Sequence, residues 1–206
     1  MTPAPVVRPQ RVVGLVLAAG AGTRMGRPKA LVHTAGGRPW VALAVEALLD
    51  GGCDAVVVVL GASAEEARGL VPVRPSVRVV VASAWADGLA ASLAAGLHAV
   101  RADDDVDAVL VSLVDLPGLP VAAVRRVLGR PGTRRSVLRR AVHDGRPGHP
   151  VLVGRAHWDA LAAALDTAHD GDRGAGTYLR SSGAEPVECA DLWDGVDHDR
   201  PASAAP

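Results

Sequence analysis

Residues 15–29 read LVLAAGAGTRMGRPK, an apolar run that leads into glycines, an arginine, a proline and a lysine. The apolar residues Val12–Leu17 predict a buried strand, and the glycines after them predict a loop at its carboxyl end, where α/β folds bind ligands. Backbone N–H groups in such a loop form a concavity for anions, and Arg24 and Lys29 add positive charge. Lys29 is the only lysine among the 22 Lys and Arg residues of the chain. The stretch therefore indicates a site for a polyphosphate.

Two common glycine-loop patterns do not fit this stretch. The P-loop pattern GxxxxGK[ST] fails because Gly26 is followed by Arg27, and because no serine or threonine follows Lys29. The dinucleotide fingerprint GxGxxG fails because its third glycine, Gly26, comes one residue too late. The loop therefore belongs to another class of phosphate site.

Short β-branched runs alternate with alanine- and leucine-rich stretches along the first 130 residues. This alternation predicts an α/β fold in which helices cover both faces of a mostly parallel sheet. The predicted strands are Val12–Leu17, Val56–Leu60, Val77–Val81 and Ala108–Leu113, and the predicted helices are Trp40–Leu49, Glu65–Leu70, Leu89–Val100 and Val121–Leu128. Because the strand runs are apolar without alternation, all four strands are expected to be buried on both faces.

The pattern changes after residue 130. A strand pair joined by the loop DGRPG is predicted, followed by two helices and a last strand. These elements are Ser136–Val142, the loop 144–148, Pro150–Val153, and then helices near 156–165 and 176–181 and a strand near 186–189. The 206 residues are predicted to form one domain, with a nucleotide-binding half over about 10–130 and an acceptor-binding half over about 131–200. Residues 1–9 and 201–206 are rich in proline and alanine and are predicted to be disordered.

Composition excludes several classes of function. The formal net charge is zero, so no bulk field favours nucleic acid or an anionic membrane. The arginines 134, 135, 139 and 140 have no interleaved aromatic residues for stacking bases, and we interpret them as a solvated face of the strand pair. Binding of a phosphate or of an acidic partner protein is the alternative. Cys53 and Cys189 are far apart in the sequence and are predicted to be small buried side chains of a reducing compartment. No apolar run reaches the ~18 residues of a membrane span, and the start lacks a signal-peptide core, so a cytoplasmic protein is predicted.

The stretch DAVLVSLVDLPGLP (residues 107–120) places Asp115 just after a buried strand. A carboxylate there faces the same rim as the glycine loop, and Mg²⁺ in phosphate sites is typically bound by one or two carboxylates together with phosphate oxygens. Asp115 is therefore a candidate Mg²⁺ ligand. The alternative is an aspartate that only begins the turn before Pro117.

The glycine-loop stretch resembles the signature LAAGxGxRMGxxK of the MobA/MocA-like nucleotidyltransferases, the molybdenum cofactor cytidylyl- and guanylyltransferases. The matching residues are Leu17, Ala18, Ala19, Gly20, Gly22, Arg24, Met25, Gly26 and Lys29. The resemblance implies a Rossmann-like three-layer sandwich in which this loop, with Thr23, wraps the triphosphate of an NTP. It also implies that Arg24 and Lys29 neutralise charge around the α-phosphate, and that Asp115 is the aspartate of the D-x-P element that binds metal.

Two further segments resemble the family's nucleotide and metal elements. In SAWADGLAASLAAGL, Gly88 and Ser92 match the residues that contact the nucleobase. In DGVDHDRP, Asp197 and Asp199 match the two aspartates of a D-x-D-T-P-like element. Asp197 is the candidate for the second metal contact, and an acidic solvated tail is the alternative.

The second half of the chain resembles the acceptor-binding elements of the MocA-like branch. GRPGHPVLVGR places His149 where an acceptor phosphate can accept its hydrogen bond, although a structural histidine is an equal alternative. DGDRGAGTYLR resembles the GDxGAR element, with Asp172 matching and Gly176 in place of its arginine. The resemblance implies that Arg173 or Arg180 takes over from that arginine, so His149, Asp172 and Arg173 are the candidate acceptor residues.

The resemblance implies a Mg²⁺-dependent transfer of NMP from an NTP to the phosphate of molybdopterin, with release of pyrophosphate. Ala19 favours CTP, because guanylyl enzymes more often have a glycine there. The alternatives are GTP, another small phosphate as acceptor, and a non-catalytic nucleotide-binding chaperone of the cofactor. A molybdoenzyme or its chaperone is the implied protein partner.

Overall fold

A computed structural model describes residues 10–130, 134–167 and 174–199 of the chain. These residues form seven strands and six α-helices. The strands are β1 (Arg11–Ala18), β2 (Ala55–Leu60), β3 (Val77–Val81), β4 (Val106–Leu113), β5 (Leu138–His143), β6 (Arg146–Gly154) and β7 (Glu185–Glu188). The helices are α1 (Trp40–Gly51), α2 (Ala64–Arg68), α3 (Leu89–Arg101), α4 (Val121–Leu128), α5 (Trp158–Asp166) and α6 (Gly174–Ser181). The predicted termini, 1–9 and 201–206, lie outside the described residues.

All seven strands form one sheet in the order β3-β2-β1-β4-β6-β5-β7. Strands β1 to β4 pair in parallel, β6 runs antiparallel to both β4 and β5, and β7 is parallel to β5. One apolar core lies between the sheet and α1 and α4, and a second lies between the sheet and α3, α5 and α6. The α/β class and the three-layer Rossmann-like sandwich are therefore confirmed.

Strand β3 corrects the expectation that all four early strands are buried on both faces. Its residues are half-buried or exposed, whereas β1, β2 and β4 are almost wholly buried. The reason is its place in the sheet, because β3 is an edge strand that pairs only with β2. An apolar run of this length therefore identifies a strand without telling whether the strand is central.

The hairpin of β5 and β6 corrects the predicted loop 144–148. Asp144 and Gly145 alone form the turn, both with positive φ (51° and 75°), as the tight two-residue hairpin turns require. Pro147 belongs to β6 and pairs with Val142 of β5. A proline is tolerated there because β4 pairs with β6 only from Val151 onward, which leaves the start of β6 without a second neighbour.

The structure also bears on the predictions for the two cysteines, the arginine-rich stretch and membrane-spanning segments. Cys53 and Cys189 are free and buried, as predicted, and burial raises the pKa of the Cys53 thiol to about 12. The interpretation of the Arg134–Arg140 stretch as a solvated face holds for the exposed Arg135 but not for Arg139 and Arg140, which are half-buried. Arg135 bonds to Asp107 and Arg139 to Glu185, because both arginines lie beside carboxylates of neighbouring segments. Within the described ranges, no helix has the length and apolar character to cross a membrane.

Candidate active site

The carboxyl ends of β1 and β4 form one wall of a cleft of about 440 Å³. The strands are adjacent and parallel, and just past their ends the amide of Val114 donates to the carbonyl of Leu17 (3.1 Å). The structure brings all the predicted nucleotide residues to this cleft, namely Leu17, Ala18, Ala19, Gly20, Gly22, Thr23, Arg24, Lys29, Gly88 and Ser92. Their role in nucleotide binding stays a prediction, since the cleft alone does not identify its ligand.

The glycine loop turns sharply at Gly22, which has a φ of +63°. A Cβ atom on Gly22 would lie 1.9 Å from the carbonyl oxygen of Arg27, so only glycine fits between the two arms of the loop. The amide of Met25 donates to the Gly22 carbonyl (2.9 Å), and the Met25 side chain is buried in the core. This fold-back brings Lys29 into the cleft at the start of a short 3-10 helix, Lys29–Leu31.

Lys29 bridges two carboxylates inside the cleft. Its Nζ donates to Oδ2 of Asp115 at 2.6 Å and to Oδ1 of Asp199 at 2.5 Å. Only 17% of the Lys29 side chain and 11% of the Asp115 side chain are exposed, so this pair is largely shielded from solvent. Asp199 also accepts from Nη1 of Arg24 at 2.7 Å, although the Arg24 side chain is mostly exposed. The three candidate catalytic residues Arg24, Lys29 and Asp115 thus belong to one charged network.

The segment after β7 brings the second acidic element to Asp115. The amide of His198 donates to the carbonyl of Asp115 (3.0 Å), and the His198 ring lies edge-on to Trp40 of α1, with ring centroids 5.6 Å apart. These contacts place Asp197 and Asp199 at the cleft. Asp199 makes the ion pairs with Lys29 and Arg24. The prediction that Asp197 is the second metal contact stays a prediction.

The arrangement of carboxylates fits a hard divalent cation. One carboxylate oxygen from each of Asp115, Asp197 and Asp199 lies within 4.8 Å of the other two. Oδ1 of Asp115 is buried and has no hydrogen-bond partner among the residues that the structure describes. Because an unsatisfied buried carboxylate oxygen is costly, and because Mg²⁺ and similar ions bind through carboxylates, the donor set and the orphaned oxygen both suit such an ion.

The pKa values in this network follow from burial and from the competing charges. Burial raises the pKa of Asp115, the contact with Lys29 lowers it, the charge of Asp197 raises it again, and the net pKa lies above its ordinary value. Burial alone would lower the pKa of Lys29, but the hydrogen bonds and charges of Asp115 and Asp199 outweigh it, so the pKa is raised. The hydrogen bond from Lys29 and the contact with Arg24 lower the pKa of Asp199. Lys29 is therefore a firmly held cation that only partly compensates Asp115.

The predicted base-contacting residues lie at the start of α3. Gly88 precedes the helix with a φ of 109°, and the buried Ser92 hydroxyl donates to the Gly88 carbonyl (3.2 Å). Ser92 thus supports the first turn of its own helix and keeps oxygen lone pairs for a ligand. Trp85 also lines the cleft and was not expected from the sequence. Its position next to Gly61 at the end of β2 depends on the packing of distant segments, so no local pattern indicates it.

The candidate acceptor residues are only partly described. His149 lies in β6, and burial together with the charge of Arg140 lowers its pKa to about 4, so the imidazole is neutral near pH 7. Asp172 and Arg173 lie outside the described residues. The acceptor roles of all three stay predictions.

Comparisons with known proteins bear on the family of this chain. A family model described as the MobA-like NTP transferase domain matches residues 14–187. Nicotine blue oxidoreductase of Paenarthrobacter nicotinovorans is 38% identical over 196 residues, which are 91% of this chain and 92% of that protein. A solved nucleotidyl transferase from Methanothermobacter thermautotrophicus has a TM-score of 0.70 and 25% identity and covers 92% of each chain.

A second solved structure supports the fold alone. Rv0371c from Mycobacterium tuberculosis H37Rv has a TM-score of 0.70 at 24% identity, with 88% of each chain covered. The family model spans both the glycine loop and the aspartate after β4, the two elements that build the cleft. The chain belongs to the family of the MobA-like NTP transferase domain.

Proposed function

We propose that this chain transfers a nucleotidyl group from an NTP to the phosphate of a small acceptor, releases pyrophosphate and uses a divalent cation. One observation carries the proposal. The buried Oδ1 of Asp115 has no hydrogen-bond partner among the described residues, and Asp115 lies close to the carboxylates of Asp197 and Asp199 in the cleft that the glycine loop lines. A site that only held a nucleotide through its glycine loop would not need an under-compensated buried carboxylate in the same cleft.

The reaction needs positioning and charge neutralisation more than covalent help from the protein. An oxygen of the acceptor phosphate attacks the α-phosphorus of the NTP. The bond from that phosphorus to the oxygen that bridges to the β-phosphate breaks, and its electron pair leaves with pyrophosphate. Backbone N–H groups of the glycine loop and the side chains of Arg24 and Lys29 bind the phosphate oxygens and offset their charge.

Asp115, Asp197 and Asp199 are the residues that would hold the cation, which we propose to be Mg²⁺. When bound, it supplies Lewis-acid stabilisation of charge on the phosphates. Lys29 pairs with Asp115 and Asp199 in this structure, and once those carboxylates are neutralised its ammonium is free to donate to phosphate oxygens. A lysine suits this exchange because it is a compact point charge on a flexible stem.

CTP as donor and molybdopterin as acceptor are the finer part of the proposal. They are supported by the LAAG form of the loop, in which Ala19 lies beside the proposed base site, and by the resemblance of the His149 segment to the MocA-like branch. A cytoplasmic protein that delivers its product to a molybdoenzyme or its chaperone is consistent with this acceptor. GTP is the alternative donor.

A second candidate function rests on a different observation. The relative at 38% identity over 91% of this chain is named an oxidoreductase that acts on nicotine blue, whereas the solved nucleotidyl transferase is 25% identical. The alternative is therefore hydride transfer from a nicotinamide dinucleotide to a planar nitrogen heterocycle. The glycine loop would then bind the pyrophosphate of the dinucleotide, and no metal carboxylates would be needed.

One set of assays separates the two candidates. The full chain is incubated with each of the four NTPs, molybdopterin and MgCl₂, and pyrophosphate release is measured; in parallel, NADH and NADPH oxidation is followed with nicotine blue. We expect release with CTP above GTP, and its loss after EDTA treatment. Metal-independent oxidation of NADH or NADPH without pyrophosphate release would support the second candidate, and no turnover in either assay would contradict both.

A further inference from the structure

A buried histidine in the second half of the chain has no part in the reaction proposed above. His143 is the last residue of β5, and only 3% of it is exposed. It lies outside the motifs that carry the family resemblance, and it does not line the cleft. Because a buried polar side chain is unfavourable unless its contacts compensate it, the neighbours of His143 indicate what it does.

His143 is bonded to the segment that follows β7. A carbonyl can only accept, so Nδ1 of the ring donates to the carbonyl of Trp193, at 3.1 Å. This is the bond that holds the ring, since Nε2 has no partner within the described ranges. The two rings also meet edge to face, with centroids 5.2 Å apart and 85° between their planes. The segment is therefore held against the end of β5 at Trp193.

Two glycines close around the same ring. A Cβ atom on Gly148 of β6 would lie 2.8 Å from Cδ2 of His143, and a Cβ atom on Gly195 would overlap the ring itself. Gly195 has a φ of +70°, so the backbone turns at the histidine, where only glycine fits. The imidazole is thus packed between the β5–β6 hairpin and the segment that follows β7.

The contacts of Trp193 extend this packing to the turn after β4. The Trp193 amide donates to the carbonyl of Cys189 at 3.1 Å, just past the end of β7. A Cβ atom on Gly118 would lie 3.4 Å from Nε1 of the Trp193 ring, so the indole lies against the turn that follows Asp115. His143 therefore fixes a segment that touches both halves of the chain.

The same segment carries two of the three carboxylates proposed to hold the cation. Asp197 follows Gly195 by two residues, and the amide of His198 then donates to the carbonyl of Asp115 at 3.0 Å. Asp197 is exposed, so packing of its own side chain does not keep it near Asp115. Its position depends on the contacts on either side, those with His143 before it and the bond of His198 after it.

We propose that His143 is a positioning residue for the divalent cation, an assignment that rests on the proposed function for the identity of the site. Its bond to the Trp193 carbonyl keeps the turn at Gly195 against the β5–β6 hairpin. The segment then presents Asp197 and Asp199, whose carboxylate oxygens lie within 4.8 Å of one another and of an oxygen of Asp115. His143 itself lies behind these carboxylates, where hydrogen bonds commonly fix the orientation of metal ligands in proteins.

The test compares two replacements of the same branched shape. Leucine and asparagine are nearly isosteric, but only asparagine can still donate an N–H from near the position of Nδ1. The full chain is titrated with MnCl₂ alone, and free Mn²⁺ is measured by EPR. We expect saturable binding by the wild-type chain, a Kd about tenfold weaker in His143→Leu, and a Kd within about threefold of wild type in His143→Asn.

His157→Leu is the matched control. The ring of His157 bonds to the Tyr178 hydroxyl at 2.9 Å and to the Ser136 carbonyl at 3.1 Å, so its loss also removes hydrogen bonds. His157 follows the carboxyl end of β6, which lies at the opposite edge of the sheet because β6 is antiparallel to β4. This variant is expected to lose stability and to keep the Mn²⁺ Kd of the wild-type chain.

Three results overturn the positioning role. They are the absence of saturable Mn²⁺ binding by the wild-type chain, an equal weakening in His157→Leu, and an equal Kd in the leucine and asparagine variants of His143. If His143→Leu fails to fold, Gly195→Ala takes its place, because its Cβ atom would push the turn away from the ring. The same tenfold weakening is expected there, and an unchanged Kd contradicts the proposal.

The pyrophosphate assay separates this role from the proposed reaction. His143→Leu is expected to raise the Mg²⁺ concentration for half-maximal activity about tenfold, with kcat at saturating Mg²⁺ within about threefold of wild type. A weaker Mn²⁺ Kd in His143→Leu without any NTP turnover by the wild-type chain would keep the positioning role and reject the reaction. Metal-dependent turnover with an unchanged Kd would do the reverse.

Discussion

Basic side chains of the proposed nucleotide site and of the proposed acceptor site differ in whether a carboxylate pairs with them. At the nucleotide end, Lys29 is bonded to Asp115 and Asp199, and Arg24 shares Asp199, so each cation has a carboxylate. At the acceptor end, Arg140 and Arg180 have no carboxylate partner among the described residues. A metal–triphosphate brings both signs of charge and needs both in its site, whereas a phosphate monoester brings only negative charge. We expect this difference in pairing to suit a metal–triphosphate at the first end and an anion at the second.

The internal pairing at the nucleotide end also protects the fold. A buried carboxylate without compensation is strongly unfavourable, and Lys29 supplies that compensation to Asp115 before any ligand arrives. The compensation is incomplete, since Oδ1 of Asp115 has no hydrogen-bond partner within the described ranges. The first two predictions remove one member of this pair at a time.

The largest effect is expected from Asp115→Asn. The amide keeps the shape of the side chain but removes the charge that binds the cation, so kcat should fall about 10³-fold or more. Asp197→Asn is the matched control: its carboxylate is exposed, and a loss of about tenfold is expected. Pyrophosphate release measures both variants, and circular dichroism checks that they fold. Turnover by Asp115→Asn within tenfold of the wild-type rate contradicts a metal role for Asp115.

Lys29→Ala is expected to lower kcat about 10²-fold with a smaller rise in the KM for the NTP. The reason is that the ammonium neutralises charge that increases on the leaving pyrophosphate. Lys29→Arg should recover little, because a guanidinium is wider and flatter than an ammonium. Arg27→Ala, an exposed cation of the same loop, is the control and should leave both parameters nearly unchanged. A rise in KM alone would assign Lys29 to ground-state binding.

The glycine loop allows a comparison within the nucleotide end itself. Gly22 and Gly26 both have positive φ values (63° and 77°), but only at Gly22 does a Cβ atom meet the backbone of Arg27. Gly26→Ala should therefore cost about 1 kcal/mol of unfolding free energy for the strained φ alone. Gly22→Ala should cost about 2 kcal/mol or more and weaken NTP binding at least tenfold, because the arms of the loop must separate. Urea denaturation and NTP titration measure the two effects, and equal losses at both positions would contradict the steric argument.

The nucleotide end could largely be predicted from the sequence. A buried strand followed by glycines, an arginine and a lysine is a continuous pattern, and every residue proposed from it lies at the cleft. The partner of Lys29 was harder to anticipate, because Asp115 is 86 residues away and only the parallel pairing of β1 with β4 brings them together. The approach of the Asp197–Asp199 segment to Asp115 depends on the hydrogen bond of the His198 amide to the Asp115 carbonyl, for which the sequence carries no signal.

The acceptor end could be predicted only in part. The consecutive arginines 139 and 140 point to opposite faces of β5, as adjacent residues of a strand must. Which of them meets Glu185 and which faces α6 depends on the register of β5 against β6 and β7, and on a bulge after Arg140. The sequence alone does not distinguish the two arginines, whereas in the sheet Arg139 forms an ion pair and Arg140 bonds to the Gly148 carbonyl, with no carboxylate partner among the described residues.

The smallest effect concerns the acceptor end and the pH dependence of stability. The pKa of His149 is about 4 in the folded chain and about 6.5 when unperturbed. Between these values the unfolded chain binds a proton that the folded chain does not, so the unfolding free energy falls as the pH is lowered from about 6.5 towards 4. Relative to pH 7.5, the titration of His149 should lower the unfolding free energy at pH 5 by about 1–2 kcal/mol.

Urea denaturation at pH 7.5, 6 and 5 measures this contribution as the difference between the wild-type chain and His149→Gln. The variant should become more stable relative to the wild-type chain as the pH falls. Burial and the charge of Arg140 disfavour protonation of His149 in the folded chain, whereas glutamine does not titrate. A pH-independent difference between the wild-type chain and His149→Gln would mean that His149 does not titrate beside a cation, and the contrast between the two ends would then rest on the arginines alone.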